Sequence, residues 1–319
     1  MEIPPSVDPV LTPPTRSNVL PVVNKKFRLL VGLILGLLVL VCVAALTAAI
    51  YILPIDDKFV GVVTKIVPYP IAVVNMQPIS FKDFYKERQA LENFYLANET
   101  AAEEQMSEAE LDTSIIETMI DREVIRQLAN RYAISLDQTK LDEVYTEAYT
   151  SSGFEEAFLS EVERLFGWEK EEFMSHVVKP VVLASQVEEA INADEDLQAA
   201  ARTKIDAALA RLKNNEDFAT VAIEVSEDVS AADGGDLGYL PLTQLPPEWL
   251  DFLSNNELNT PTEVIDLGNV YSIASASDQV EGDDGTQFNV KTIIVYKVGM
   301  SEVIENFTAA SKIWNFLKI

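Results

Sequence analysis

The sequence predicts an α+β protein with an N-terminal transmembrane helix, a helical domain, and a domain in which a small antiparallel sheet is flanked by helices. Three observations lead to this prediction. Residues 29–53 carry no charge, residues 107–192 repeat apolar residues at helical spacing, and residues 228–238 form a glycine-rich loop ahead of two strand-like segments. Spacings of three or four residues make one helix face, whereas strict alternation makes one strand face.

The apolar run over residues 29–53 is longer than the ~20 residues that a bilayer-spanning helix needs. Charged residues flank it, basic before and acidic after: Lys25, Lys26, Arg28, Asp56 and Asp57. This asymmetry predicts a cytoplasmic N-terminus and an extracytoplasmic remainder. Residues 1–28, rich in proline and without an apolar period, are then a disordered cytoplasmic tail. A cleaved signal peptide is the alternative, because the alanines near the end of the run resemble a cleavage site.

Charge limits the partners of the exported part. After residue 28 the chain holds 20 of its 24 basic and 49 of its 51 acidic residues, a formal charge of −29. Nucleic-acid binding needs a basic surface, and so does docking of a whole domain on an anionic membrane. The sequence therefore predicts that the protein has no nucleic-acid partner. It predicts that the protein contacts the membrane through one transmembrane helix.

Catalytic residues of the hydrolase type are missing from the sequence. The single cysteine, Cys42, lies within the apolar run, and His176 is the single histidine. A catalytic triad or a histidine-bound zinc needs more than these residues supply. We therefore expect no metal and no cofactor, and we expect His176 to be a residue of a helix surface or of a boundary between domains and not a catalyst.

The elements after the membrane follow from local pattern. Alternating β-branched residues from Phe59 onward predict a short strand, a turn near residues 75–80, and a helix that opens at Ser80 with Asp83 at capping-box distance. Helical spacing then continues over residues 107–192. Ser135 is expected to cap the next helix with Gln138 three residues on, and two glycines, Gly153 and Gly167, are expected to break the helices.

The C-terminal third alternates between helices and strands. Two apolar stripes at helical spacing, over residues 197–212 and 218–225, lead to the glycine loop. Strand-like segments at 264–276 and 288–298 flank a polar loop at 277–287, which predicts a hairpin. A final amphipathic helix is expected from four apolar residues: Val303, Phe307, Trp314 and Leu317.

The stretch "DVSAADGGDLG" (residues 228–238), followed by "LPPEW" (residues 245–249), closely resembles the signature of parvulin-type peptidyl-prolyl isomerases. In that family the first stretch ends a helix and forms a tight loop, and the second opens a helix that lines the proline pocket. Residues 70–190, with "VNMQPIS" at the family's turn, are similar to the helical region of SurA and PrsA-type extracytoplasmic foldases.

These resemblances imply a set of site residues. Asp228 and Thr292 are the expected catalytic residues. The expected substrate-binding residues, which would form a slot for the proline ring, are Leu237, Leu245, Trp249 and Tyr271. The implied domains are a helical region at 54–195 and a parvulin-like domain at 196–319.

One strand of the resembled family is out of place. The family begins with a strand that carries a histidine, yet only helical sequence precedes Leu197, while "VKTIIV" within residues 288–298 resembles that strand. We therefore expect a circular permutation that moves the first strand to the C-terminal side, since exposed loops tolerate such rewiring. The alternative is that the strand was lost and the C-terminus is an unrelated addition. Thr292 then takes the place of the first family histidine, and Val270 or Tyr271 the place of the second.

The resemblance implies a membrane-anchored extracytoplasmic prolyl isomerase, a foldase for exported, unfolded, proline-containing polypeptides. Isomerisation lowers a rotational barrier of roughly 18–20 kcal/mol and breaks no covalent bond, so it needs no nucleophile. The alternative is a non-catalytic holdase chaperone that keeps the parvulin domain as a peptide-binding module, which the absence of both family histidines favours.

Overall fold

The computed structural model describes residues 25–53, 58–98, 106–150, 153–255, 258–282 and 285–317. Residues 1–24 of the expected tail, the acidic residues just after the apolar run, and residues 283–284 of the hairpin turn lie outside the described residues. Residues 25–28, which were expected in the tail, belong to the first helix instead. The chain divides into two compact units, Met1–Val60 and Gly61–Ile319, which are described separately.

The N-terminal unit contains helix α1, Lys25–Ile52. Within it, Leu33–Ile52 is long and apolar enough to cross a membrane, with a mean hydropathy of 2.9. The expected apolar helix is confirmed. A second, short helix, α2, spans Lys58–Ile66 and so begins in the first unit and ends in the second. The strand expected from Phe59 onward is therefore wrong in its first half, because apolar residues recur there at helical spacing and extended backbone begins only after Pro68.

The first sheet of the second unit is a hairpin that a distant strand completes. Its order is β2–β1–β7, with β1 at Pro70–Val74, β2 at Gln77–Ser80 and β7 at Ile313–Asn315. Helix α3, Phe81–Ala97, follows directly. Its N-cap is Ser80, whose hydroxyl accepts a hydrogen bond from the Asp83 amide, so the expected helix start is confirmed.

The helical region packs on this sheet and on α3. Its helices, in chain order, are α4 (Glu108–Arg131), α5 (Gln138–Thr150), α6 (Glu155–Phe166), α7 (Lys170–Phe173), a π-helical turn (Met174–Val178) and α8 (Lys179–Asn192). The cap expected at Ser135 is wrong. Asp137 holds this end instead, because its carboxylate accepts from the Thr139 amide at 2.8 Å.

His176 lies within the helical region, in the π-helical turn. Its Nδ1 is 2.8 Å from a carboxylate oxygen of Glu87, which also forms an ion pair with Arg122. The imidazole stacks on Trp168, with ring centroids 5.1 Å apart. These contacts make His176 a largely buried packing residue within the helical region, which differs from the expected position on a helix surface or between domains.

The second sheet has the order β3–β6–β5–β4, and every pair in it is antiparallel. Helices α9 (Glu195–Lys213) and α10 (Phe218–Val225) precede its strands, and α11 (Pro247–Asn255) lies between β3 and β4. The strands are β3 (Asp236–Pro241), β4 (Ile265–Asp266), β5 (Val270–Gly282) and β6 (Gly285–Tyr296). The expected hairpin is confirmed, but most of the expected polar loop is paired strand, since Gly282 pairs with Gly285.

The C-terminus differs from the single helix that the sequence predicts. Helix α12 ends at Ala310, and Trp314 lies in β7, paired with Val73 of β1. Asn75 determines this ending, because its side chain accepts from the Lys312 amide and its own amide donates to the Lys312 carbonyl. The helical spacing of Trp314 is therefore coincidental, and strand pairing with β1 decides the local structure.

A buried amide joins the helical region to the second sheet. The Gln198 side chain, 1% exposed, donates to the carbonyls of Ile191 and Val298 and accepts from the Val298 amide. Close by, the buried Lys297 ammonium donates to the Asn192 carbonyl. These contacts fix the exit of β6 against the turn between α8 and α9.

Replacing Gln198 by leucine is expected to lower the free energy of unfolding by about 3 kcal/mol, because buried backbone groups lose their partners. Urea unfolding of the full chain in detergent, followed by tryptophan fluorescence, measures this change. The matched control is Gln279→Leu, at an exposed position of β5, which should stay within about 0.5 kcal/mol. Equal effects of the two substitutions would contradict the assigned role of Gln198.

Candidate functional site

The glycine loop sets β3 against β6 at very short range. Gly234 and Gly235 have φ of +69° and +79°, and the Gly235 carbonyl accepts from the Thr292 amide at 2.8 Å. A Cβ at Gly235 would lie 2.2 Å from the carbonyl oxygen of Thr292. Both the backbone angle and the approach require glycine at this position.

Asp228 caps the short 3-10 turn Val229–Asp233, which precedes this loop. Its Oδ2 accepts from the Ser230 hydroxyl at 2.6 Å and from the Ser230 amide at 3.1 Å, and its Oδ1 accepts from the Ser226 hydroxyl at 2.6 Å. Burial alone raises the pKa of Asp228. The hydrogen bonds from Ser226, Ser230 and backbone amides outweigh burial and hold the pKa below its usual range.

The segment that carries Asp228 is bound along β6. The Ser226 hydroxyl accepts from the Ile294 amide at 2.9 Å, and the Glu227 amide donates to the Ile294 carbonyl at 2.8 Å. One residue pair further on, the Glu227 carboxylate accepts from the Tyr296 amide at 2.7 Å. The segment that carries Asp228 and the residue Thr292 are therefore both positioned by β6.

Thr292 itself is fully buried. Strand alternation places it on the same face of β6 as Phe288 and Val290, which pack against α11. Its hydroxyl is 3.3 Å from the Ile273 carbonyl oxygen, to which it donates. A threonine at this position supplies one hydroxyl to the interior of the sheet, and that hydroxyl is already paired.

The apolar side chains of the expected slot come together on this face. Leu245 and Trp249 are 5% and 3% exposed, and the half-buried Leu237 packs on the same cluster. The Trp249 indole donates to the Ser272 hydroxyl at 3.1 Å, which fixes the plane of the ring. Leu237, Leu245, Trp249 and Thr292 thus share one face of the second sheet.

The structure does not bring Tyr271 to this group. Its side chain packs on the opposite face of the sheet, in the cluster that contains Ile205 of α9 and Val221 of α10. The Lys297 ammonium lies 4.5 Å from its ring centroid, a cation–π contact. Odd and even positions of a strand face opposite sides, so Tyr271 cannot share the slot with Trp249.

Three serines that lie in the site were assigned no role from the sequence. Ser226 and Ser230 flank Asp228 at two residues on either side, a spacing at which side chains bond locally and which could have been noticed. Ser272 is visible only through strand alternation, since it shares the face of Ala274. Among the described residues, no three histidine, cysteine, aspartate or glutamate side chains come together as metal ligands.

Gly235→Ala is expected to lower the free energy of unfolding by about 3 kcal/mol, from the unfavourable φ and the clash with Thr292. Gly238→Ala is the matched control: Gly238 also has a positive φ, +72°, but a Cβ there meets nothing within 4 Å. It should cost about 1–2 kcal/mol, the backbone part alone. Urea unfolding measures both, and equal losses would contradict the close approach.

Asp228→Ala is expected to cost about 1–2 kcal/mol at pH 7 through loss of the cap. The carboxylate stabilises the fold above its unfolded pKa of about 3.9, and this contribution is lost as the pH falls through the lower folded pKa. The difference between wild type and variant should therefore shrink between pH 7 and pH 3.

Asp233→Ala, at an exposed aspartate of the same turn, is the control for the pH series. Its difference from wild type should be small at every pH. An Asp228→Ala difference that stays constant down to pH 3 would contradict the role of the ionised cap.

Comparison with known proteins supports two domains. Residues 20–149 match the family described as SurA-like N-terminal domain, and residues 164–280 match the PPIC-type PPIase domain. The chain is 30% identical over 110 residues to the chaperone SurA of Pseudomonas putida, covering 34% of this chain and 25% of that protein. It is 26% identical over 193 residues to the foldase protein PrsA of Halalkalibacterium halodurans, covering 52% and 57%.

These matches leave part of each relative uncovered, since the chain spans between a quarter and somewhat over half of the length of these two curated relatives. The two domain matches follow one another along the chain, in the order helical region and then glycine loop. The chain therefore combines a region that matches the SurA-like N-terminal domain with a region that matches the PPIC-type PPIase domain, and it is similar in part to SurA chaperones and PrsA foldases.

Proposed function

We propose that this chain is an extracytoplasmic foldase, anchored in the membrane by α1, whose PPIase-type domain binds proline-containing segments of unfolded exported polypeptides and isomerises them slowly. The observation that carries the proposal is the presence, in one chain, of two domains whose matched relatives are named chaperone SurA and foldase protein PrsA. In this proposal the apolar helix α1 is the anchor, and the rest of the chain lies outside the cytoplasm.

The proposed chemistry is limited to what the site residues can do. Leu237, Leu245 and Trp249 are the apolar side chains that we propose exclude water from the prolyl amide once this largely buried cluster admits the proline ring. A less polar surrounding favours the twisted amide, which has lost its resonance. Thr292 is the proposed polar group for the altered amide, and Asp228 the proposed carboxylate. Thr292 must give up its bond to Ile273 to donate a hydrogen bond to the amide, which is why we expect slow catalysis.

The proposal includes the domain arrangement expected from the sequence. We assign the helical region to 54–195 and the parvulin-like domain to 196–319, with the permuted first strand within 288–298. The pairing of β6 with β5 on one side and with β3 on the other supports the permutation, because a moved first strand must still neighbour the last one. The pairing of β7 with β1 adds that the end of the chain also packs on the helical region.

A non-catalytic holdase is the second candidate, and one observation favours it. Both carboxylate oxygens of Asp228 accept hydrogen bonds from serine hydroxyls, Oδ1 from Ser226 and Oδ2 from Ser230, so the carboxylate stabilises the turn in which it lies. A peptide-binding module would retain the apolar face without needing a free carboxylate or hydroxyl. The two candidates differ in one measurable property, the rate of X-Pro exchange.

Exchange NMR on an X-Pro peptide, with the full chain in nanodiscs, is expected to show exchange faster than in empty nanodiscs. Thr292→Val, which keeps the shape and removes the hydroxyl, should reduce this acceleration about tenfold, or ~1.4 kcal/mol in barrier. Thr292→Ser retains a hydroxyl and should preserve most of the rate.

No acceleration by a folded wild-type chain would contradict the isomerase and leave the holdase. The holdase is then tested by light scattering of an unfolded client protein. Suppressed aggregation, equal for wild type and Thr292→Val, supports it, whereas aggregation equal to that with empty nanodiscs contradicts the foldase as a whole.

A further inference from the structure

Helix α2 presents an apolar strip to solvent. Val62 and Ile66 are 61% and 79% exposed, and Phe59 and Val67 are exposed as well. At 100° per residue, Phe59, Val62 and Ile66 fall within an arc of roughly 60° on one side of the helix. Val60 and Thr64, on the other side, are buried. One side of the helix therefore packs against the protein, and the other side exposes apolar residues to solvent.

Two lysines border this strip. Lys58 and Lys65 are both exposed and lie next to one another on the helical projection, beside the apolar arc. An apolar strip edged by lysines is the arrangement that lies in a membrane interface, where the apolar side enters the acyl boundary and the ammonium groups reach the phosphates.

The chain itself keeps α2 close to the bilayer. Five residues separate Ile52, the end of α1, from Lys58, the start of α2. Fully extended, that connection reaches roughly 20 Å, and the headgroup layer on one side is about 5–8 Å thick. A membrane-spanning α1 therefore leaves α2 at or beside the interface on the extracytoplasmic side.

We propose that α2 docks on the phospholipid bilayer, with Val62 and Ile66 inserted at the acyl boundary. This rests on the proposed anchoring by α1. The formal charge of −29 on the exported part opposes electrostatic binding to anionic lipid, so the docking is apolar and needs no anionic headgroup.

Nitroxide labels measure this depth in the full chain. The labels are attached at Val62→Cys or, separately, Ile66→Cys in a Cys42→Ala background, and the protein is placed in phosphatidylcholine nanodiscs. Power saturation should show several-fold greater access to oxygen than to a water-soluble nickel complex, with a depth of about 5–10 Å below the phosphates. Glu143→Cys, at an exposed position of α5, is the matched control and should show the reverse preference.

The native Cys42 separates failure of the anchor from failure of the docking. A label on Cys42, near the middle of Leu33–Ile52, should lie close to the bilayer midplane. Water access at Cys42 would overturn the anchor and, with it, the proposal. A deep Cys42 with labels at 62 and 66 as water-accessible as the control would overturn the docking alone. Labels shielded from both reagents would also overturn it, since they indicate a protein partner on this strip.

Discussion

The close approach between Gly235 and Thr292 is the constraint on which the second sheet depends. It lets β3 join β6 directly after a tight loop, and β6 then pairs with β5 on its other edge. Strand β6 is an interior strand of this sheet, between β3 and β5. Side chains alternate between the two faces along it and along its neighbours, so each residue of these strands lies on one face or the other. Trp249 and Leu245 lie on one face, and Tyr271 lies on the other.

The same strand positions the polar groups of the site, and these groups form hydrogen bonds within the fold. Ser226 and Glu227 bind the β6 backbone, Asp228 accepts from the serines beside it, and the Thr292 hydroxyl bonds within the sheet. Such pairing stabilises the loop, because buried polar groups without partners cost free energy. The carboxylate of Asp228 and the hydroxyl of Thr292 are therefore both engaged within the fold.

Contacts distant in sequence make the second unit one body. Gln198 and Lys297 bind the end of β6 to the turn after α8, and β7 returns to pair with β1. Each of these contacts satisfies buried backbone groups that would otherwise lose water without replacement. The second sheet is therefore joined to the helical region by hydrogen bonds as well as by the chain itself.

Local signals in the sequence determined the apolar helix α1, the Ser80 cap of α3 and the succession of helices. They also determined the hairpin and the identity of the glycine loop. Each of these features depends on the spacing of residues that are close together in the sequence. Tertiary structure decided the rest. Pairing with β1 turned Trp314 from a helix residue into a strand residue, Asp137 replaced Ser135 as a cap, and strand alternation separated Tyr271 from Trp249. These outcomes depend on partners tens to hundreds of residues away or on competition between nearby caps, and a local pattern holds no information about which partner offers the stronger hydrogen bonds.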